Sequence, residues 1–225
     1  MFAKQVLDNY LTESQYEVLG QVVSTGYSAC DKWVGSSIAL SEFGPGMEHR
    51  SYLLNLFVSF ALVEAASNHE WLRYEIHPNA ARNRQHIRAF IGSLAFTLHY
   101  AGRKAERRFA RKAVNRALLA DRNGDLFSQE LFSPDVPLNS SDPAYCQLIH
   151  GGWQKPLVSI LAIPNRDQVT HTLKPHLLVL PEPKVVATEA ILENIGNFKL
   201  RTNRDDQDEI EQAFRDISKR ASEAG

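Results

Sequence analysis

Ten arginines and two lysines crowd residues 73–122 of this 225-residue chain, against Glu75, Glu106 and Asp121 as the only acids in that stretch. Guanidinium groups at such density are suited to anions. Each presents a rigid fork of donors that matches a phosphate or carboxylate bidentately. The segment carries +9, and with the whole chain at −1 the remainder carries −10. A near-neutral average therefore conceals a strong separation of charge along the chain.

The densest part is the run from Arg103 to Ala120, rich in Ala, Arg and Leu, which predicts a helix. Asn123-Gly124 ends it in the usual left-handed way. At 100° per residue, Arg103, Lys104, Arg107, Arg108, Arg111 and Lys112 cover one half of its circumference. Phe109, Ala110, Ala113, Val114 and Ala117 fall on the other, where small side chains allow close packing on a sheet. Like charges one turn apart cost a few tenths of a kcal/mol each, and Glu106 is the only acid among them. That repulsion calls for a compensating anion.

A second polar cluster, His77, Arg82, Arg84, His86 and Arg88, follows the first expected strand and extends the basic surface if both lie on one side of the sheet. The expected ligand is the phosphate backbone of DNA or RNA, contacted by Arg103, Lys104, Arg107, Arg108, Arg111, Lys112, Arg82, Arg84 and Arg88. The aromatics of the stretch, Tyr74, Phe90, Phe96, Tyr100 and Phe109, read mostly as core, so contact with a duplex backbone is a simpler expectation than base stacking. Two other anions compete. One is the chain's own acidic tail or the loop at 125–142, and the other is an acidic protein partner, for which this chain would be an adaptor.

Weaker signals point to a nuclease as the alternative function. Arg166 and His171 have an R-x4-H spacing similar to that of HEPN-type ribonucleases, and an imidazole with a guanidinium can move a proton and oppose phosphate charge. Those folds are all-helical, whereas this segment lies between expected strands. Asp135, Glu182 and Lys184 resemble the acid-then-E-x-K set with which restriction-type nucleases hold Mg²⁺, although Pro181 and Pro183 interrupt the strand that should fix it. Asp121, Asn123, Asp125 and Glu130 are spaced like calcium ligands, but Leu126 stands where an EF-hand needs glycine. His150, beside Gly151-Gly152, reads as structural. No serine elbow, phosphate-binding glycine loop or HExxH motif is present. Cys30 and Cys146 give neither zinc spacing nor a disulfide framework. No metal site and no cofactor are expected, and whether the chain is an enzyme stays open.

The elements that must position these groups read as α+β. Thr12 with Gln15 forms a capping box ahead of a helix carrying Tyr16, Leu19, Val22, Val23 and Tyr27. SEFGPG (41–46) is a turn, and a core helix runs from about Met47 to Asn68. A strand follows at Leu72, Tyr74 and Ile76. Another lies within Ile87–Tyr100, where Phe96, Leu98 and Tyr100 alternate with Thr97 and His99. After the basic helix and a long loop come strands at Tyr145–His150, Leu157–Ile163 and His176–Leu180, a hairpin turn at Gly151-Gly152, and a helix at Ala187–Ile195. The expected architecture is one domain, 1–203, with a helical N-terminal third, a mostly antiparallel sheet of about five strands and an acidic helical tail at 204–225. The most apolar run, Tyr52–Ala66, falls short of the roughly 20 residues of a membrane span. The N-terminus lacks the apolar centre of a signal peptide, so a cytoplasmic location is expected.

Overall fold

The computed structural model describes residues 3–36, 49–78, 85–104, 116–117, 119–120, 123, 144–164 and 174–196. Ten elements follow in order: α1 (Ala3–Leu7), α2 (Glu13–Gly35), α3 (Arg50–Asn68), β1 (Leu72–Pro78), β2 (Gln85–Ile91), β3 (Leu94–Tyr100), β4 (Ala144–Gly152), β5 (Pro156–Ala162), β6 (His176–Leu177) and α4 (Val185–Gly196). The chain divides into two units, Met1–Leu192 and Glu193–Gly225. The second contributes only residues 193–196 to the described set, so the expected boundary at 203 and the acidic tail lie outside it.

The strands form one six-stranded sheet in sequence order. All neighbours pair antiparallel except β3 and β4, which run parallel from Leu94↔Ala144 to Tyr100↔His150. The protein is therefore α+β with a mixed sheet. A parallel neighbour cannot be reached by a hairpin and needs a long crossover. Residues 101–143 supply it, with 116, 117, 119, 120 and 123 helical.

The extra strand arises where one had been expected within 87–100. Ile91 pairs with Leu94 around a tight turn, and Gly92 takes φ 55, a left-handed conformation that glycine reaches without strain. The β4–β5 turn falls at 153–155 instead of at the two glycines. Gly151 and Gly152 instead close β4 across a register shift, with Gly152 at φ 142. The strand expected at His176–Leu180 pairs only through its first two residues.

Thr12 opens α2 with the reciprocal bonds of a capping box: its amide donates to Gln15 Oε1 at 2.9 Å, and its hydroxyl accepts from the Gln15 amide at 3.4 Å. The helix buries Tyr16, Leu19, Val23, Tyr27 and Cys30, and α3 buries Leu54, Phe57, Val58 and Leu62. The two helices cross where Gly26 meets Val58. Together they cover the sheet face formed by Leu72, Ala89, Ile91, Leu94, Phe96, Leu148 and Leu161, all buried. Among the described residues no helix is long and apolar enough to cross a membrane.

His150 sits fully buried under α2, its Nδ1 3.3 Å from the Tyr27 hydroxyl, with the Tyr27 and Tyr100 rings each 5.6 Å away. Burial pushes its pKa down to about 3, so the folded protein holds it neutral. The unfolded chain binds a proton there near pH 6.5, and the folded chain does not until near pH 3. Stability is thus fully present above pH 6.5 and is lost as pH falls toward 3, by about 1 kcal/mol per pH unit. Between pH 6.5 and 5 ordinary carboxylates stay ionised, so a fall in the urea midpoint over that window reports the histidines that the fold holds neutral, His150 together with His99 and His86. A level midpoint there would contradict this assignment.

Candidate nucleic-acid interface on the polar sheet face

Strand alternation sends the other set of side chains to the side opposite α2 and α3, where polar groups on β1–β4 stand beside a buried apolar patch of Ala95, Ile149, Ile160 and Ala162. The register aligns Glu75 on β1 with Arg88 on β2, Arg88 with Thr97 on β3, and Thr97 with Gln147 on β4. One step along, His77 on β1 pairs with His86 on β2, their rings 6.0 Å apart. His99 lies one step beyond Thr97 on the same side. The face thus carries a row Glu75–Arg88–Thr97–Gln147 beside a row of three histidines.

These groups are held by hydrogen bonds. His77 Nε2 lies 2.7 Å from Glu75 Oε2. Thr97 Oγ1 lies 2.7 Å from His99 Nε2 and 2.6 Å from the Tyr145 hydroxyl, linking three strand residues in one chain. Burial holds Tyr145 as a neutral phenol, its pKa pushed up to about 12 against the opposing pull of Thr97, Gln147 and Arg116. Burial also lowers His86, helped by His77 and the Arg88 and Arg116 guanidiniums. His99 is lowered well below the usual histidine range by burial, then by Arg116, His150 and His86. Both imidazoles are thus held neutral by the fold. Gln147 is 1% exposed and close enough to the Tyr145 hydroxyl to help lower its pKa, and Arg88 Nε is a buried donor without a hydrogen-bond partner among the described residues.

Both described ends of the β3–β4 crossover lie on this side. Ala101 packs with Ile149, Ile160 and Ala162, and Leu119 and Ala120 pack on Tyr145. Arg116 lies near enough to act electrostatically on His86, His99 and Tyr145. Arg103 projects from the opening turn with its guanidinium 4.7 Å from the Trp153 ring centroid. Arg50 lies 5.4 Å from the same ring and is bound to Asp31.

Of the residues expected to contact phosphate, Arg88 stands on the polar face and Arg103 and Lys104 at the start of the crossover, the latter two exposed. Arg82, Arg84, Arg107, Arg108, Arg111 and Lys112 lie outside the described residues, as do Asp135, Arg166 and His171. Glu182 and Lys184 precede α4, where the Glu182 carbonyl accepts from Gln21 of α2, in the layer opposite the polar face. Nothing described brings them near Arg88. No family model matches the chain, and no curated protein or solved structure matches it either.

Glu75, Thr97, His99, Tyr145 and Gln147 were not among the expected site residues. Their signal was present as polar residues at i and i+2 in otherwise apolar strands, Glu75 with His77 and Thr97 with His99. In a sheet with one solvated face that pattern marks only the outer side. It becomes a site only when the register aligns three strands. Cys30 and Cys146 are both buried thiols, Cys30 pushed up to about 12, and are chemically quiet. Among the described residues no group of three or more His, Cys, Asp or Glu is placed to hold a metal.

Proposed function

We propose that the protein binds nucleic acid through its phosphate backbone, using the polar sheet face together with the basic crossover. The observation that carries this reading is the convergence of Arg88 and Arg116 on one face, with three imidazoles and one acid, Glu75, on the aligned strands. The crossover bearing Arg107, Arg108, Arg111 and Lys112 begins and returns on that same side. Arginine forks and imidazoles offer donors to phosphate oxygens, and among its described residues the face has no exposed aromatic platform of the kind single-strand stacking uses. Two buried, unpaired thiols suit a reducing compartment, so the reading places the protein in the cytoplasm.

Freshly purified protein is expected to carry nucleic acid, seen as a raised 260/280 nm absorbance ratio that collapses on nuclease digestion. Arg107→Glu combined with Arg111→Glu is expected to abolish that carry-over while leaving the thermal unfolding curve in place. A variant that still co-purifies with as much nucleic acid as the parent would remove the crossover from the interface.

A further inference from the structure

The two edges of the sheet are finished differently. At one, β6 pairs through only His176 and Leu177, and Pro175, Pro181 and Pro183 on either side of it deny a further strand its amide donors. At the other, β1 runs seven residues in unbroken register with β2, from Leu72↔Ile91 to Pro78↔Gln85, without a bulge and with no proline before Pro78. Alternate residues of such a strand turn both amide and carbonyl to its open side, and no described strand pairs there. The side chains of β1 are open as well. Tyr74 is 39% and Ile76 56% exposed on the side of the buried Leu72, while Arg73 and Glu75 are exposed on the polar side. Arg73 meets no acid among the described residues, and its guanidinium lies 6.0 Å from the Phe90 ring centroid.

We propose that β1 is a homodimer interface, at which the edge strands of two copies pair antiparallel about a two-fold axis through Tyr74. A two-fold perpendicular to the sheet keeps each face continuous only when it passes through a residue position, because side chains alternate between faces. Centred on Tyr74, it sets Tyr74 opposite its own copy, Leu72 opposite Ile76 and Arg73 opposite Glu75, the last two pairs each occurring twice. Aromatic and aliphatic groups then meet on one face and opposite charges on the other, the cross-strand pairs that stabilise antiparallel sheets. Glu75 engages His77 through Oε2 at 2.7 Å, and a carboxylate accepts at both oxygens, so Oε1 serves Arg73 of the second copy. The neighbouring positions fail. An axis through Arg73 or Glu75 sets a charge against itself, and one through Ile76 carries Arg73 past the end of the strand, opposite Asn79. The strand is thus self-complementary in a single register, which selects a second copy of this chain as the partner. The dimer places both polar faces on the same side of one continuous sheet.

The test uses the full chain after nuclease digestion, so that nucleic acid cannot bridge two copies. In sedimentation velocity the wild-type protein is expected to be a dimer that dissociates on dilution. Arg73→Glu and Glu75→Arg are each expected to weaken dimerisation roughly tenfold or more, since two attractive pairs become two repulsive ones. Mixed in equal amounts, the two variants are expected to regain wild-type association, because every glutamate then faces an arginine. Cysteine crosslinking tests the register without altering charge. Directly opposed residues have Cα atoms about 4.5–5.5 Å apart, within the span of a disulfide, whereas Ile76 and its copy lie four positions apart along the strand, roughly 14 Å. The native thiols Cys30 and Cys146 are buried. Under mild oxidation Tyr74→Cys is therefore expected to form a covalent dimer on a non-reducing gel and Ile76→Cys to remain monomeric, although position 76 is the more exposed. A wild-type chain that is monomeric at every concentration would overturn the proposal. So would crosslinking through Ile76→Cys as fast as through Tyr74→Cys, or dimerisation unchanged by Arg73→Glu. If Glu75→Arg does not fold, the two cysteine variants decide.

Discussion

Replacing Asn123 with alanine is expected to lower the unfolding free energy by about 3–5 kcal/mol, from a side chain that is 1% exposed and takes no part in the apolar core. Continuing the β4–β5 register from Gln147↔Ala162 by two residues brings Pro164 opposite Tyr145. Proline has no amide proton to give the Tyr145 carbonyl, so the ladder cannot close there. Asn123 inserts its amide instead. Its Nδ2 donates to the Tyr145 carbonyl at 2.7 Å and the Pro164 carbonyl at 3.3 Å, and its Oδ1 accepts from the Tyr145 amide at 2.9 Å. Alanine leaves a buried donor and two acceptors unmet, at about 1–3 kcal/mol for each group left without a partner. The urea midpoint should fall sharply, and melting should drop by roughly 2–4 °C for each kcal/mol lost. Asn123→Asp separates hydrogen bonding from shape. Its carboxylate would face two carbonyls unless protonated, so the folded state raises its pKa. Its stability should then improve as pH falls, opposite in sign to the His150 effect. An alanine variant within 1 kcal/mol of wild type would show that the insertion is dispensable.

The second large effect is expected at Gly26. A Cβ there would stand 2.6 Å from the Val58 Cα and 2.8 Å from its nitrogen, so the obstruction is backbone and no side-chain rotation relieves it. Gly26→Ala must push α2 and α3 apart. Overpacking of this kind costs about 1–3 kcal/mol and sometimes more, against roughly 1 kcal/mol regained from helix propensity. A larger residue, as in Gly26→Leu, should prevent stable folding. Gly35, at the end of the same helix, has nothing within 4 Å of a built Cβ. Gly35→Ala is therefore the matched control and should be neutral or mildly stabilising. Equal losses at both positions, by chemical denaturation, would mean the α2–α3 contact is not close.

These two positions show what the chain makes legible and what it hides. The helices and most strands follow from local pattern: a capping box at Thr12, apolar spacing from Tyr16 to Tyr27, and alternation at Leu72–Ile76. Asn123, by contrast, reads locally as a helix end. Its role appears only when the crossover returns against β4 and a proline falls opposite Tyr145. Gly26 reads as a weak point in a helix until Val58 is seen against it. The site behaves the same way. Arg88 and His86 were recognisable as a polar cluster, whereas Thr97 and His99 looked like the polar side of a strand, and Tyr145 and Gln147 lay in an expected strand with no role assigned. The Gly92 turn places β2 and β3 so that Arg88 meets Thr97, and the parallel pairing of β3 with β4 brings in Gln147. Both are facts of register, which sequence periodicity does not encode.

The central claim is that cations on and beside the polar face meet a phosphate backbone. The direct measurement is the affinity for a mixed-sequence oligonucleotide, by fluorescence anisotropy, between 50 and 200 mM salt. Neutralising about six phosphates releases their counterions and should weaken binding roughly a thousandfold across that range. An affinity that does not change with salt, or no binding at the lowest salt, would contradict the account.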